Sequence, residues 1–185
     1  METTGTFGNS EGGATGPELR CEGMTFPRTA VVSVMSQSDS NSQSHSRDDR
    51  TITNPPALHD PAPFGYSHAV SAAGEPVFLA GQYASDASGA PVPGDFAAQV
   101  ELAFDRLEAA LAGVGLGLRH VVRLGTFIVD HDPGRLEVLG KALHARFGER
   151  LPAQTLSGVA SLALPGMLFE VDAIAVRPPR GEDLS

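Results

Sequence analysis

One cysteine, Cys21, stands in the whole chain of 185 residues, so no intramolecular disulfide can form and a reducing compartment is the simpler setting. Basic residues are scarce as well: 13 Lys and Arg against 22 Asp and Glu leave a formal charge of -9. A surface of that sign cannot neutralise phosphates, the step that supplies most non-specific affinity for nucleic acid, so nucleic acid is not an expected partner. Long apolar runs are missing too. The stretch most like a signal peptide, Ala30 to Met35, is interrupted by Ser33, follows acidic Glu18 and Glu22, and falls far short of a bilayer span. These absences give the expectation of a cytoplasmic protein with no membrane segment.

What is present falls into two textures. Residues 1–51 are rich in Gly, Ser, Thr, Asn and Asp, and the run from Ser36 to Asp49 holds no hydrophobic residue. Such a segment buries too little apolar surface to offset the entropy of ordering it. The expectation is a disordered tail over 1–51, one folded domain over 52–178 and a short C-terminal tail over 179–185.

From Ile52 onward, short apolar segments alternate with Gly and Pro. Tyr66 to Ser71 and Pro76 to Ala80 read as strands joined by a turn at Gly74, a hairpin by the usual signals. Asp95 to Gly113 has Phe96, Val100, Ala103, Phe104, Leu107, Ala110 and Leu111 at helical spacing, with Asp95 as cap and Gly113 as terminator. Val121 to Val129 is a β-branched, apolar strand. Asp132-Pro133 then opens a second helix to about Phe147, striped by Leu136, Leu139, Leu143 and Phe147. Strands at Gln154 to Leu162 and Leu168 to Val176 close the chain. The order β-β-α-β-α-β-β predicts an α+β fold with both helices on one face of a mixed sheet. The other face must still be covered, and oligomerisation is the natural means.

Several short motifs follow one another along the chain. Leu151 to Val176 contains Pro152, Leu164-Pro165 and the alternating Glu170-Val171-Asp172-Ala173-Ile174-Ala175. Thr53-Asn54-Pro55-Pro56-Ala57, Gly65-Tyr66-Ser67-His68-Ala69-Val70 and Ala80-Gly81-Gln82 precede it. Together they resemble the RidA/YjgF family of enamine and imine deaminases. The resemblance implies a chorismate-mutase-like trimeric barrel with clefts between neighbours, no cofactor and no metal. It also implies site residues: Glu170 to position the attacking water, helped by the Leu156 carbonyl, and Tyr66 at the cleft border. Thr155, Gly81 and Gln82 fall in matching motifs as substrate-binding positions.

One position breaks the pattern. Where the family has an arginine that clamps a substrate carboxylate, residue 154 is Gln, an amide that can donate and accept but cannot neutralise a charge. The cysteine many members carry beyond the arginine is also absent, with Thr155-Leu156 there instead. The expected activity is therefore hydrolysis of a reactive imine or enamine that is not a simple 2-imino acid. Its rivals are a non-catalytic trimer that binds a metabolite or a partner, and an endoribonuclease, which the acidic balance disfavours.

Each of these residues also has a plainer reading. Glu170 could be a solvent-facing strand residue, and Gln154 a surface one. Ser67-His68 is no nucleophile-base pair if both lie on a strand, because adjacent side chains point to opposite faces. Asp130-His131-Asp132 sits where strand meets helix, and Asp132 is already claimed as a cap. Gly113, Gly115 and Gly117 follow a helix, the reverse of a phosphate-binding turn.

Overall fold

In this computed structural model the described residues are 49–179, so residues 1–48 of the expected tail over 1–51, and 180–185 of that over 179–185, lie outside them. The folded part begins earlier than the change of composition at Ile52. Arg50 is buried and its Nη1 donates to the Val121 carbonyl at 2.7 Å. The Arg50 carbonyl accepts from Arg150 Nη2 at 2.6 Å. Thr51–Thr53 then form strand β1. A count of apolar residues misses this start because hydrogen bonds to a guanidinium, not a hydrophobic side chain, anchor it.

Strand β2, Ala69–Ser71, pairs antiparallel with β1, Ile52 facing Val70. This corrects the expected hairpin: β2 is shorter than Tyr66 to Ser71, and it is not paired with β3, Glu75–Tyr83. Gly74 still turns the chain, at φ 141°, but against the far end of the main sheet, where a Cβ would lie 2.0 Å from the Arg177 carbonyl oxygen. Only glycine tolerates that approach. The turn passes the chain from the small ribbon to the main sheet.

After β3 come helix α1 (Phe96–Gly113), β4 (Val121–Val129), helix α2 (Pro133–Phe147), β5 (Ala153–Val159) and β6 (Phe169–Arg177). The main sheet has the order β3-β6-β4-β5, with β4 and β5 parallel and the other pairs antiparallel. The fold is thus α+β with a mixed sheet, as the sequence predicts. Strand β5 stops short of Leu162 because β4 gives out at Val129, opposite Val159.

Both helices start on the aspartates read as caps: Asp95 Oδ1 accepts from the Ala98 N–H and Asp132 Oδ1 from the Arg135 N–H, each at 2.9 Å. The end of α1 is shared differently. Gly113 is the last helical residue, but Gly115, at φ 73°, makes the left-handed turn. Its N–H donates to Ala112, and that of Leu116 to Leu111, which brings two core leucines together.

The core lies between the helices and one face of the sheet. Val100, Phe104, Leu107 and Leu111 of α1 meet Leu124 and Ile128 of β4 and Phe169, Val171 and Ala175 of β6, all fully excluded from solvent. The Phe104 ring packs 5.9 Å from Phe169 and 6.4 Å from Phe147. Deleting such a ring costs about 3–5 kcal/mol. Arg146 of α2 covers Phe104 at 5.5 Å and bonds Glu101, Asp105 and Glu108 of α1 at 2.7, 2.8 and 2.5 Å, joining the helices.

Alternation along β6 turns Glu170, Asp172 and Ile174 to the opposite face, which neither helix covers. Phe78, facing Ile174 across β3 and β6, is 73% exposed there.

Candidate functional site

A hollow of about 220 Å³ opens at the β5 edge of the sheet, lined by His59, Phe64, Tyr66, Leu136, Gln154 and Leu156. Its walls come from three parts of the chain, each held by local chemistry. Tyr66 precedes Ser67, which is buried and bonded twice to the α2–β5 connection: Ser67 N–H to the Pro152 carbonyl at 2.9 Å and Oγ to the Leu151 carbonyl at 2.7 Å. That connection leads directly into Gln154. Tyr66 and Gln154 are therefore fixed relative to each other by backbone hydrogen bonds. Leu136 comes from the face of α2 next to its buried stripe.

Gln154 and Leu156 face the helix side of the sheet, in register with Leu124 and Thr126 of β4. The Gln154 Nε2 donates to Thr126 Oγ1 at 3.0 Å, and the Thr126 hydroxyl reaches the Thr155 carbonyl at 3.5 Å. The Gln154 Oε1 is buried with no hydrogen-bond partner. Leaving such an acceptor unpaired costs about 1–3 kcal/mol. Among the described residues no Lys or Arg lines this hollow.

Glu170 lies elsewhere. It shares the open face of the sheet with Phe127, which in turn pairs with Ser157, so it is on the side away from Gln154 and Leu156. Burial, and secondarily the neighbouring Asp172 charge, push its carboxyl above the usual range. Gly81 makes room for it, since a Cβ at residue 81 would collide with the carboxylate. The same construction recurs next door: Asp172 lies over Gly125, whose N–H donates to Oδ1 at 3.0 Å, with Arg123 Nη1 at 3.5 Å.

Of the residues picked out by sequence, the structure brings Tyr66, Gln154 and Leu156 together. Thr155 is exposed on the other face, and Gly81 and Gln82 lie on β3, the opposite edge of the sheet, with the Gln82 amide folded back onto the Ala80 carbonyl at 3.1 Å. A single chain thus carries the candidate residues in two groups on opposite faces of the sheet, one around Gln154 and one around Glu170. His59, Phe64, Leu136 and Thr126 were missed by sequence reasoning. His59 sits in irregular backbone and Phe64 ends a single 3-10 turn, Ala62–Phe64, too short to show a period; Thr126, a hydroxyl inside an apolar strand, carried a visible signal.

A wider hollow of about 410 Å³ lies beyond Phe64 and Leu136, along α2, where Lys141 and Glu137 already pair at 2.6 Å. Its third polar lining residue, His144, donates from Nδ1 to the Gly140 carbonyl of its own helix at 2.8 Å. Among the described residues no helix is long and apolar enough to cross a membrane.

The family model described as Endoribonuclease L-PSP matches residues 58–177. The chain is 33% identical over 131 residues to the RutC family protein YjgH of Escherichia coli (strain K12), covering 70% of this chain and 97% of that protein. It is 41% identical over 115 residues to Protein DfrA of Myxococcus xanthus, covering 60% of this chain and 84% of that protein. Among solved structures, the Rid-family protein YyfB of Yersinia pestis, of unknown function, is similar with a TM-score of 0.66 at 35% identity, over 70% of this chain and 99% of that one. With a family model spanning nearly all of the described fold and a relative aligned along almost its whole length, this chain belongs to the RidA/YjgF family.

Proposed function

We propose that this protein hydrolyses a reactive imine or enamine to a carbonyl compound and ammonia, and that its substrate carries no small carboxylate of the 2-imino acid kind. The observation behind this reading is Gln154. One N–H of its amide is engaged by Thr126 Oγ1, so a substrate carboxylate entering the hollow would meet no cation from that residue and at most one neutral N–H. A neutral or differently anchored substrate suits an apolar lining of Phe64, Leu136 and Leu156.

The working site in this reading is formed between copies, with the Glu170 face of one chain set against the Gln154 hollow of its neighbour in a homotrimer. The uncovered sheet face bearing Phe78, Phe127 and Ile174 supports association. Water adds to the carbon of the N-protonated imine, forming the C–O bond as the C=N π pair moves onto nitrogen, and Glu170 takes the proton the water loses, leaving the neutral carbinolamine. The carbinolamine nitrogen is protonated, the C–N bond breaks with its electron pair on the departing ammonia, and the carbonyl forms as the hydroxyl proton leaves. A desolvated carboxylate with a raised pKa is suited to the first transfer. Imine hydrolysis is facile, so positioning and one base suffice.

The reading is tested by ammonia release from a panel of imines generated in place, neutral and carboxylate-bearing, with RNA cleavage run in parallel. Turnover of the neutral imines supports it. Binding without turnover favours a metabolite-binding trimer, the alternative that Gln154 itself raises, and RNA cleavage would sink both.

A further inference from the structure

At the mouth of the Gln154 hollow lies a cluster that the mechanism above does not use. His59 Nε2 and the Tyr66 hydroxyl are 2.6 Å apart. His68 packs edge-on against both rings, at 5.0 Å from His59 and 5.5 Å from Tyr66. Its Nε2 lies 2.9 Å from the His59 carbonyl, and since a carbonyl only accepts, His68 Nε2 is the donor. The His68 backbone N–H in turn donates to Asn54 Oδ1 at 2.9 Å. Thus His68 fixes the backbone of His59, while Ser67 fixes that of Tyr66. Two segments with no regular structure are held so that an imidazole nitrogen meets a phenol oxygen.

The two groups differ in access. Tyr66 is half-buried and lines the hollow, whereas His59 is exposed, so it can exchange protons with water. A phenol alone exchanges its proton poorly at neutral pH, and an imidazole at hydrogen-bond distance removes that limit.

We propose that His59 and Tyr66 form a proton relay from solvent to the reacting nitrogen in the hollow. This rests on the deaminase reading and adds to it the acid that the departing ammonia requires. Tyr66 Oη gives its proton to the carbinolamine nitrogen, and the C–N bond breaks with the electron pair leaving on nitrogen. His59 Nε2–H returns a proton to the phenolate oxygen as its Nδ1 takes one from water, and solvent receives in turn the protons released from Glu170 and the hydroxyl. The relay moves protons only, and its net supply is the one proton that leaves on ammonia. His59 acts through Tyr66 and does not itself touch substrate.

The test is ammonia release by the full-length wild type, His59→Ala, Tyr66→Phe and the double variant, with and without added imidazole. The relay requires that each single variant lose about tenfold or more in kcat with little change in KM, and that the double variant be no slower than Tyr66→Phe. Imidazole should restore His59→Ala but not the double variant, which has no phenol to pass the proton on. Full kcat in His59→Ala, or equal stimulation of both by imidazole, overturns the relay and leaves the deaminase reading standing. Wild-type protein that releases no ammonia from any imine overturns the deaminase reading, and the relay falls with it.

Discussion

Glu170 fills the space that a side chain on Gly81 would need: a Cβ at residue 81 would lie 1.9 Å from the glutamate Oε1 and 2.7 Å from its carboxyl carbon. The two residues sit on adjacent strands, β3 and β6, beside a shift in register between Leu79 and Gln82. The glycine is thus read as a seat for a carboxylate, and its value to the protein depends on what Glu170 does.

Gly81→Ala should therefore displace the Glu170 carboxylate while leaving the core on the other face untouched. Deaminase turnover should fall by about 10- to 100-fold, a share of what a positioned base contributes. Circular dichroism and melting should show the fold retained. Undiminished turnover would mean that Glu170 need not hold this position.

Gln154→Arg should raise turnover of small 2-imino acids, by about 1–3 kcal/mol in transition-state binding, because a charged donor holds a carboxylate more strongly than an amide. Adding Glu170→Gln should abolish the gain. The check is kcat/KM for a 2-imino acid against a neutral imine across the three proteins. A gain that survives Glu170→Gln removes Glu170 from the chemistry.

The unpaired Gln154 Oε1 predicts a trade between stability and activity. Replacing the amide with a side chain of similar length, Gln154→Met, removes a buried acceptor without a partner and should stabilise the fold by about 1 kcal/mol, measured by urea unfolding. Thr126→Val should act in the opposite sense, since it strands the Nε2 donor as well. Equal stability of Gln154→Met and wild type would show that the acceptor is satisfied in solution.

Burial and Asp172 raise the Glu170 carboxyl above its ordinary value. Its folded form then holds a proton more tightly than the unfolded chain, so the stability it contributes is complete below the unfolded value and is lost as pH rises through the folded one. Glu170→Gln cannot ionise and escapes that loss. The stability of the variant relative to wild type should therefore increase between about pH 4 and pH 7, followed by urea unfolding at one protein concentration. A pH-independent difference would mean that Glu170 is fully solvated.

Sedimentation should report about three times the 19.2 kDa chain mass. Phe78→Glu, on the uncovered face, should shift the protein toward monomer and remove turnover together with assembly. Active monomers would refute a site formed between copies.

How much of this was legible in the sequence depended on whether the signal was local. The helix starts at Asp95 and Asp132 were readable because a cap acts within a few residues. The partner of β2 was not, because Val70 faces Ile52 across a long loop while Gly74 beside it looks like an ordinary hairpin turn. Tyr66 and Gln154 could be named from motifs, but His59 reaches the hollow and Thr126 reaches the Gln154 amide through tertiary contacts that leave no period. The separation of Gln154 and Glu170 on opposite faces was hidden for a different reason. Alternation fixes which side chains share a strand face, but not which faces of different strands coincide until register is known.

The clamp at Arg50 has a mechanical consequence. Its guanidinium holds the Val121 carbonyl, and its own carbonyl is held by Arg150, before β1 begins. Tension at Asp49 thus enters the fold at Arg50, where these two hydrogen bonds, one at the entry to β4 and one just after α2, take a share of the load ahead of the short ribbon of β1 and β2. A handle or label joined ahead of Asp49 would pull on a point pinned to the main sheet, so Arg50→Ala should lower the force at which the ribbon peels away.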